Sequence, residues 1–394
     1  MGIMNHSERK FAKRKILHVI TSTGTGGAET TLLNFLAHTN REYFSHQVIS
    51  LAPIGEIGEK IKTLSIPVFS AGMQTSLQSA GAFMRLLKQM RLSSTDLVHC
   101  WMYHANLAGG IGARLLGKPS LWAIHHHQPA DTLLKAGTRQ VARFGARLSH
   151  WMPEAIIYCA QSAQVAHENT GYDASKSVVI ENGFDTEQFK PDREANRRMR
   201  ASLRIDQDAV IVGHIGRFHP TKDHLTFLKA AATVDSKKRN IVFVLCGQGV
   251  DANNETLVEQ VSVLGLSGRI HLLGRREDMP SVFSMLDILV SSSLSEAFPS
   301  VIGEAMSCGI PCVATDAGDS ARLIADTGLV VPVREPILLA EAITQLVEQP
   351  EQRRLLGTAA RRRIQEYFGV DSMLQKTEAL YERMILKGEP AKEQ

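Results

Sequence analysis

Two carboxylates, Glu296 and Glu304, stand eight positions apart in the segment S-L-S-E-A-F-P-S-V-I-G-E-A-M-S-C-G-I-P-C-V-A-T, residues 293–315. An apolar run, Ile288–Val290, ends in serines just before them, and Gly309 and Pro311 close the segment behind them. The pattern predicts a strand, a loop carrying Glu296, and a helix carrying Glu304 with Ser300 as its N-cap. Main-chain N–H groups at Ser300, Val301 and Ile302 would then face an anion with the helix dipole behind them. Paired carboxylates can serve as acid and base, hold a metal, or accept hydrogen bonds from vicinal hydroxyls. No Asp-x-Asp or His cluster lies nearby to complete a metal set, so hydroxyl binding is the favoured reading.

Cations precede them. In G-H-I-G-R-F-H-P-T-K-D-H, Arg217 and Lys222 follow Gly216 at the end of an apolar run. A guanidinium and an ammonium on one such loop suit a pyrophosphate, and Asp223 could cap the next helix. Glycine turns end other runs: Gly24, Gly26 and Gly27 after the first, Gly247 in C-G-Q-G, and the L-L-G-R that ends in Arg275. The first is neither G-x-G-x-x-G nor a P-loop.

His125, His126 and His127 follow the run S-L-W-A-I. Neighbours in an extended chain point to opposite sides, so three contiguous imidazoles do not readily share one ion. One histidine reaching a substrate hydroxyl is favoured, and the first is best placed. His99 and His104 could line the same cleft. Lys135, Arg139, Arg143 and Arg147 repeat every fourth position, flanked by Leu134, Val141, Phe144, Leu148 and Trp151. On a helix they form one basic stripe, which is either a solvated face or a dock for anionic headgroups or a lipid pyrophosphate.

Elements that could hold these groups alternate along the chain. Short β-branched runs separated by helical patterns predict two parallel sheets covered by helices. The 394 residues exceed one ordinary core. The expected division is a first domain over 1–187, a polar linker over 188–205, a second domain over 206–369, and a last helix and tail over 370–394. Strand ends of two such domains would face a central cleft. Up to Lys190 there are 19 Lys+Arg against 13 Asp+Glu, whereas the remainder holds 25 against 27. The first half is therefore the side suited to an anionic acceptor or surface. The five cysteines sit in or beside apolar runs, as small buried residues of a reducing compartment do. No run is long and apolar enough for a membrane span, and the basic N-terminus lacks the apolar core of a secretion signal. A cytoplasmic protein is expected.

The ordered set G-G-A-E (Gly26–Glu29), E-N-G-F-D-x3-F-x-P (Glu181–Pro191), G-R-F then K-D, C-G-Q-G and the segment with Glu296 and Glu304 resembles the retaining glycosyltransferases of family 4, from about Ile16 to the C-terminal helices. The resemblance implies an α/β chain of GT-B fold, two Rossmann-like doubly wound domains. It implies that Arg217 and Lys222 neutralise the donor pyrophosphate, Glu304 holds ribose hydroxyls and Glu296 holds the donor sugar. Main-chain groups from Phe298 through Pro299 and Ser300 to Val301 would lie beside that sugar. Gly26 and Gly27 would let a loop close over the phosphates, with Gly216 and Gly247 in the donor site. His125 would face the transferred sugar, and Arg275 would lie near the base. Three departures stand out. Ala297 replaces the family's usual glycine after the first motif glutamate. V-I-G-E replaces V-L-L-E, with Gly303 expected to loosen the helix start. A-I-H-H-H-Q replaces T-x-H-[DE].

The resulting expectation is a metal-independent, cofactor-free, retaining glycosyltransferase. Its donor would be a nucleotide-sugar, a UDP-sugar by preference. Its acceptor would be a glycan or lipid-linked molecule of surface-polysaccharide or glycolipid synthesis, with peripheral contact to an anionic membrane on the cytoplasmic side and no nucleic-acid partner. The rival readings are a synthase with a soluble acceptor and a non-catalytic nucleotide-sugar-binding protein.

Overall fold

The computed structural model describes residues 13–73, 80–127, 135–234 and 240–388. The basic N-terminal stretch before Lys13, Leu134 beside the basic stripe, and the tail at Pro390 lie outside the described residues. The chain divides into two units, Met1–Ile180 with Met373–Gln394, and Glu181–Ser372.

In the first unit, β1 (Arg14–Ile20), β2 (Phe44–Ser50), β3 (Val68–Ser70), β4 (Leu97–Trp101), β5 (Ser120–Ile124), β6 (Ala155–Tyr158) and β7 (Ser177–Val179) form one parallel sheet, in the order β3-β2-β1-β4-β5-β6-β7. Between them run α1 (Gly27–His38), α2 (Glu56–Thr63), α3 (Ala80–Leu92), α4 (Tyr103–Leu115), α5 (Ala136–Ser149) and α6 (Gln161–Glu168). Strand order reverses between β1 and β4, which makes that gap the topological switch point. Every residue of β4, β5 and β6 is buried. Covered on both faces, these strands read as continuous apolar runs rather than alternating ones.

The second unit repeats the plan. It contains α7 (Arg193–Ser202), β8 (Val210–Ile215), α8 (His224–Thr233), β9 (Ile241–Cys246), α9 (Glu255–Val263), β10 (Ile270–Leu272), α10 (Met279–Ser284), β11 (Ile288–Ser291), α11 (Ser300–Ser307), β12 (Cys312–Thr315), α12 (Ser320–Ile324), β13 (Leu329–Val331), α13 (Pro336–Glu348) and α14 (Pro350–Tyr367). Its sheet is parallel, in the order β10-β9-β8-β11-β12-β13, with the reversal between β8 and β11. Val212, Phe243, Leu245, Ile288 and Val290 pack beneath Phe227 and Leu228 of α8 and Leu339, Ile343 and Leu346 of α13.

The stretch 188–205 is not a linker. Residues 181–205 belong to the second unit, and 193–202 form α7, capped by Asp192, whose carboxylate accepts from Glu194 and Ala195 N–H. Its Arg200 is buried, donates to Asp287 at 2.7 Å and also bonds Ala209 O at 2.8 Å. The charged composition conceals a helix with a narrow buried face, Ala195, Met199 and Arg200. The last helix, α15 (Val370–Gly388), belongs to the first unit from Met373 onward. Its Tyr381 is fully buried there against His99, Phe35 and Phe44.

Candidate active site

In the second unit the loops after β8 and β11 meet at the switch point. Lys222 Nζ donates to Glu296 Oε1, and Ser293 Oγ donates to the same oxygen at 2.7 Å. The pair is partly covered, with side chains 20% and 13% exposed. The main chain holds the loops together: Leu294 N–H donates to Thr221 O at 2.7 Å, and Ser292 Oγ lies within bonding distance of Lys222 O and Asp223 O. His214, buried beneath them, contacts Ser292 Oγ at 3.0 Å. Burial holds its imidazole well below the usual range, so it stays neutral under Lys222. Asp223 takes a left-handed conformation and caps α8, accepting from Thr226 N–H and Oγ1.

Arg217 is exposed and has no hydrogen bond or ion pair among the described residues. Gly216 and Gly247 pack backbone to backbone. A Cβ on Gly247 would stand 2.1 Å from Gly216 O, and one on Gly216 would touch the Lys222 side chain. Gly247 N–H also donates to Gly274 O at 2.9 Å, so three strand ends are joined in a row. Arg275 follows, exposed, with its guanidinium 3.9 Å from Glu277.

Helix α11 is capped by Pro299, not by Ser300, which is its first residue. Pro299 has no N–H to offer a ligand, and its carbonyl accepts from Ile302 and Gly303. Ser300 and Val301 N–H make no main-chain bond among the described residues, as the first turn of any helix requires. Phe298 is buried between Phe184 and Phe368, at 5.9 and 5.7 Å. Glu304 lies one turn into the helix. Burial pushes its carboxyl up to about 8, so it is largely protonated at neutral pH. Gly303 does not loosen the helix; its missing side chain makes room for the Phe184 ring.

Gly318 and Asp319 escaped the sequence reading. Gly318 has φ +58, and a Cβ there would stand 1.8 Å from Glu296 O, while Asp319 N–H donates to Ala297 O at 3.2 Å. The loop after β12 thus braces the backbone of Glu296 and Ala297. D-A-G-D-S after an apolar run was the available signal.

In the first unit Gly26 caps α1 in extended conformation, with Glu29 on the first turn. The Glu29 carboxylate folds over Gly26, where a Cβ would stand 2.4 Å from Oε2, whereas Gly27 has open space. Burial raises the Glu29 carboxyl. His125 stacks on Trp101 at 5.3 Å and 11°, and His126 on Tyr103 at 5.4 Å and 12°. Met102, between the two aromatic residues, has φ 75, a conformation uncommon outside glycine. Tyr103 OH is fixed by His167 Nε2 at 2.7 Å. Burial lowers His125 to about 4. His99, expected to line a cleft, is enclosed within the first unit, and its Nδ1 lies 2.7 Å from Tyr381 OH. Helix α5 packs by Ala142, Gly145, Ala146 and Ser149. Arg143, Phe144, Arg147 and Trp151 are exposed, Lys135 caps the helix, and Arg139 is half-buried.

All five cysteines are buried, and none of them is joined in a disulfide. Among the described residues no three His, Cys, Asp or Glu side chains gather closely enough to hold a metal ion.

Comparison with known proteins agrees with this plan. Residues 25–188 match the family model "Glycosyltransferase Family 4" and residues 195–363 match "Glycosyl transferases group 1". EpsF of Bacillus subtilis is 27% identical over 350 residues, covering 85% of this chain and 88% of EpsF. The UDP-Gal:alpha-D-GlcNAc-diphosphoundecaprenol alpha-1,3-galactosyltransferase of Escherichia coli is 22% identical over 386 residues, covering 95% of this chain and 98% of that protein. The crystal structure of Anabaena HepE in complex with UDP and glucose superposes with a TM-score of 0.83 at 25% identity, covering 94% of this chain and all of that one. The two matches together span most of the chain, which belongs to glycosyltransferase family 4, and its two parallel-sheet units are those of the GT-B fold.

Proposed function

We propose that the protein transfers a sugar from a UDP-sugar to a glycan or lipid-linked acceptor of surface-polysaccharide or glycolipid synthesis, with retention and without a metal. The observation that carries this reading is the Lys222–Glu296 pair at a sheet switch point, beside Arg217 and the free first-turn N–H groups of α11. Cations and main-chain donors suit a diphosphate; carboxylates suit hydroxyls.

In this reading Arg217 and Lys222 stabilise the negative charge that develops on the departing diphosphate. Glu296 positions the sugar hydroxyls, and Ala297 borders that sugar. Glu304 accepts from the ribose hydroxyls, and main chain near Arg275 borders the base. His125 faces the transferred sugar, and Gly26 and Gly27 admit the phosphates close to α1. A donor phosphate oxygen takes the acceptor proton, so no protein nucleophile is needed. UDP and glucose are bound in HepE, and the Escherichia coli relative uses UDP-Gal with a lipid-diphosphate acceptor; both favour this donor and acceptor class.

The acceptor side rests on α5. Phe144 is 52% and Trp151 67% exposed beside Arg143 and Arg147, the combination of an interfacial helix. The contact proposed is peripheral, from the cytoplasmic side; among the described residues no helix is long and apolar enough to cross a membrane. A screen of nucleotide-sugars for thermal stabilisation and donor hydrolysis tests the donor. A UDP-sugar at a hundred times its Kd should add about 2.7 kcal/mol of stability, and silence from every UDP-sugar would end this reading. Flotation with anionic liposomes tests the membrane, with binding expected to vanish in Arg143→Glu/Arg147→Glu.

A further inference from the structure

The face of the first sheet under α1 and α15 carries a polar chain where aliphatic side chains are the rule. His46 on β2, His18 on β1, and His99 and Trp101 on β4 are all buried. Buried polar groups in such a place are ordinarily bonded; His99 bonds Tyr381, and Trp101, His18 and His46 are bonded in a line. Trp101 Nε1 lies 3.2 Å from His18 Nδ1, and His18 Nε2 lies 3.0 Å from His46 Nδ1. His46 Nε2 lies 3.2 Å from Thr39 Oγ1, and Thr39 Oγ1 lies 2.8 Å from Glu378 Oε1 on α15. Glu378 Oε1 also accepts from Asn40 N–H at 3.0 Å.

The direction of every bond follows from the first. An indole nitrogen only donates, so His18 Nδ1 accepts and its proton sits on Nε2. His18 Nε2–H then donates to His46 Nδ1, which puts the His46 proton on Nε2. That proton goes to Thr39 Oγ1, whose own hydroxyl proton goes to the Glu378 carboxylate. The assignment needs neutral imidazoles. Burial supplies them, holding His18 well below its usual range and His46 at about 4. Each link has one allowed sense, and the chain crosses three adjacent strands to end on the C-terminal helix.

At its other end lies a stack. His125 rests on the Trp101 indole nearly parallel, and His99 stacks on the same ring at 4.5 Å. His125 Nδ1 has no hydrogen-bond partner among the described residues. A histidine ring torsion is broad and two-fold, so an aromatic plane beside the ring is what restricts its orientation.

We propose that Trp101 is a positioning residue for His125, and that the directed chain through His18, His46 and Thr39 to Glu378 holds the indole plane in place. The functional consequence rests on the reading of His125 as the residue facing the transferred sugar; the structural claim does not. Glu378 thereby couples the seating of α15 to the orientation of an imidazole at the other end of the chain.

The test uses full-length protein labelled with 13C and 15N in histidine, in four variants. Trp101→Leu removes the plane, and Trp101→Phe keeps a plane without the N–H. Glu378→Ala removes the terminal acceptor, and Glu378→Gln keeps a carbonyl in its place. In the wild type His18 and His46 should both be Nε2–H tautomers, and the His125 ring protons should carry a ring-current shift. Trp101→Leu should abolish that shift. Glu378→Ala should alter it, and Glu378→Gln should restore it. With the best donor, kcat should fall roughly 100-fold in Trp101→Leu, the scale of a misplaced group, with KM for donor within about twofold. An Nδ1–H tautomer at His18 or His46, or a His125 signal indifferent to Glu378→Ala, would overturn the proposal. A wild type that turns over no nucleotide-sugar would instead refute the functional reading, and the spectra would still decide the positioning claim.

Discussion

Phe184 occupies the space where Gly303 would carry a side chain: a Cβ at 303 would stand 2.0 Å from Cζ of the ring. Phe184 is tied down on its own account. Its N–H donates to Phe368 O at 2.9 Å, and its carbonyl accepts from Val370 at 3.0 Å. Gly303→Ala therefore sets two effects against each other. Alanine favours a helix over glycine by about 1 kcal/mol, whereas forcing extra volume into a packed core costs typically 1–3 kcal/mol. At such a distance the clash wins, and the variant should lose stability on denaturant unfolding. The check is a double-mutant cycle with Phe184→Ala, in which the penalty should shrink or reverse. Independent effects would mean that the ring is not what demands glycine.

The Lys222–Glu296 pair makes a second prediction, because each residue has a structural partner and a proposed ligand. Lys222→Ala should reduce turnover by roughly 100-fold or more, by loss of charge stabilisation on the leaving group. It also strands a partly buried carboxylate, which costs stability. Adding Glu296→Gln removes the stranded charge, so the double variant should regain thermal stability without regaining turnover. Single-turnover rates and melting temperatures on the same preparations separate the two. Recovery of both together would make the pair structural and remove Lys222 from the diphosphate.

Much of this site was legible in the sequence, for a physical reason. Strands buried on both faces must be apolar, and loops at their ends are short and chemically distinctive, so Gly216–Lys222 and Ser293–Glu304 stood out. What was hidden depended on tertiary neighbours. Arg200 reads as one cation among several in a charged stretch, yet it is buried on Asp287 and on carbonyls of its own unit. Gly303 reads as a helix weakness because Phe184 is far away in sequence. His18 and His46 each read as an isolated polar residue in a strand, and His99 as a residue that could line the cleft; parallel pairing of β1 with β2 and β4 joins His18 and His46 to Trp101 in one chain and sets His99 against that indole. Gly318 is visible as a turn, but only the fold reveals that it supports Glu296.

Glu304 yields a prediction whose sign can be worked out. Its carboxyl is raised by burial from 4.5 to about 8. Below about 4.5 the folded and unfolded chains both hold the proton. Between that value and about 8 the unfolded chain has lost it and the folded chain keeps it, so this residue's contribution to stability falls as pH rises through the window. Glu304→Gln has no such proton, and its melting temperature relative to wild type should rise from pH 5 to pH 8.5. Donor binding runs the other way. Ribose hydroxyls donating to the carboxylate favour its ionised form, so affinity should climb with pH up to about 8 and then level. A UDP-sugar should therefore raise the wild-type melting temperature more at pH 8 than at pH 6, while the shift in Glu304→Gln stays small and flat. Equal shifts at both pH values in the wild type would take the ribose hydroxyls away from Glu304.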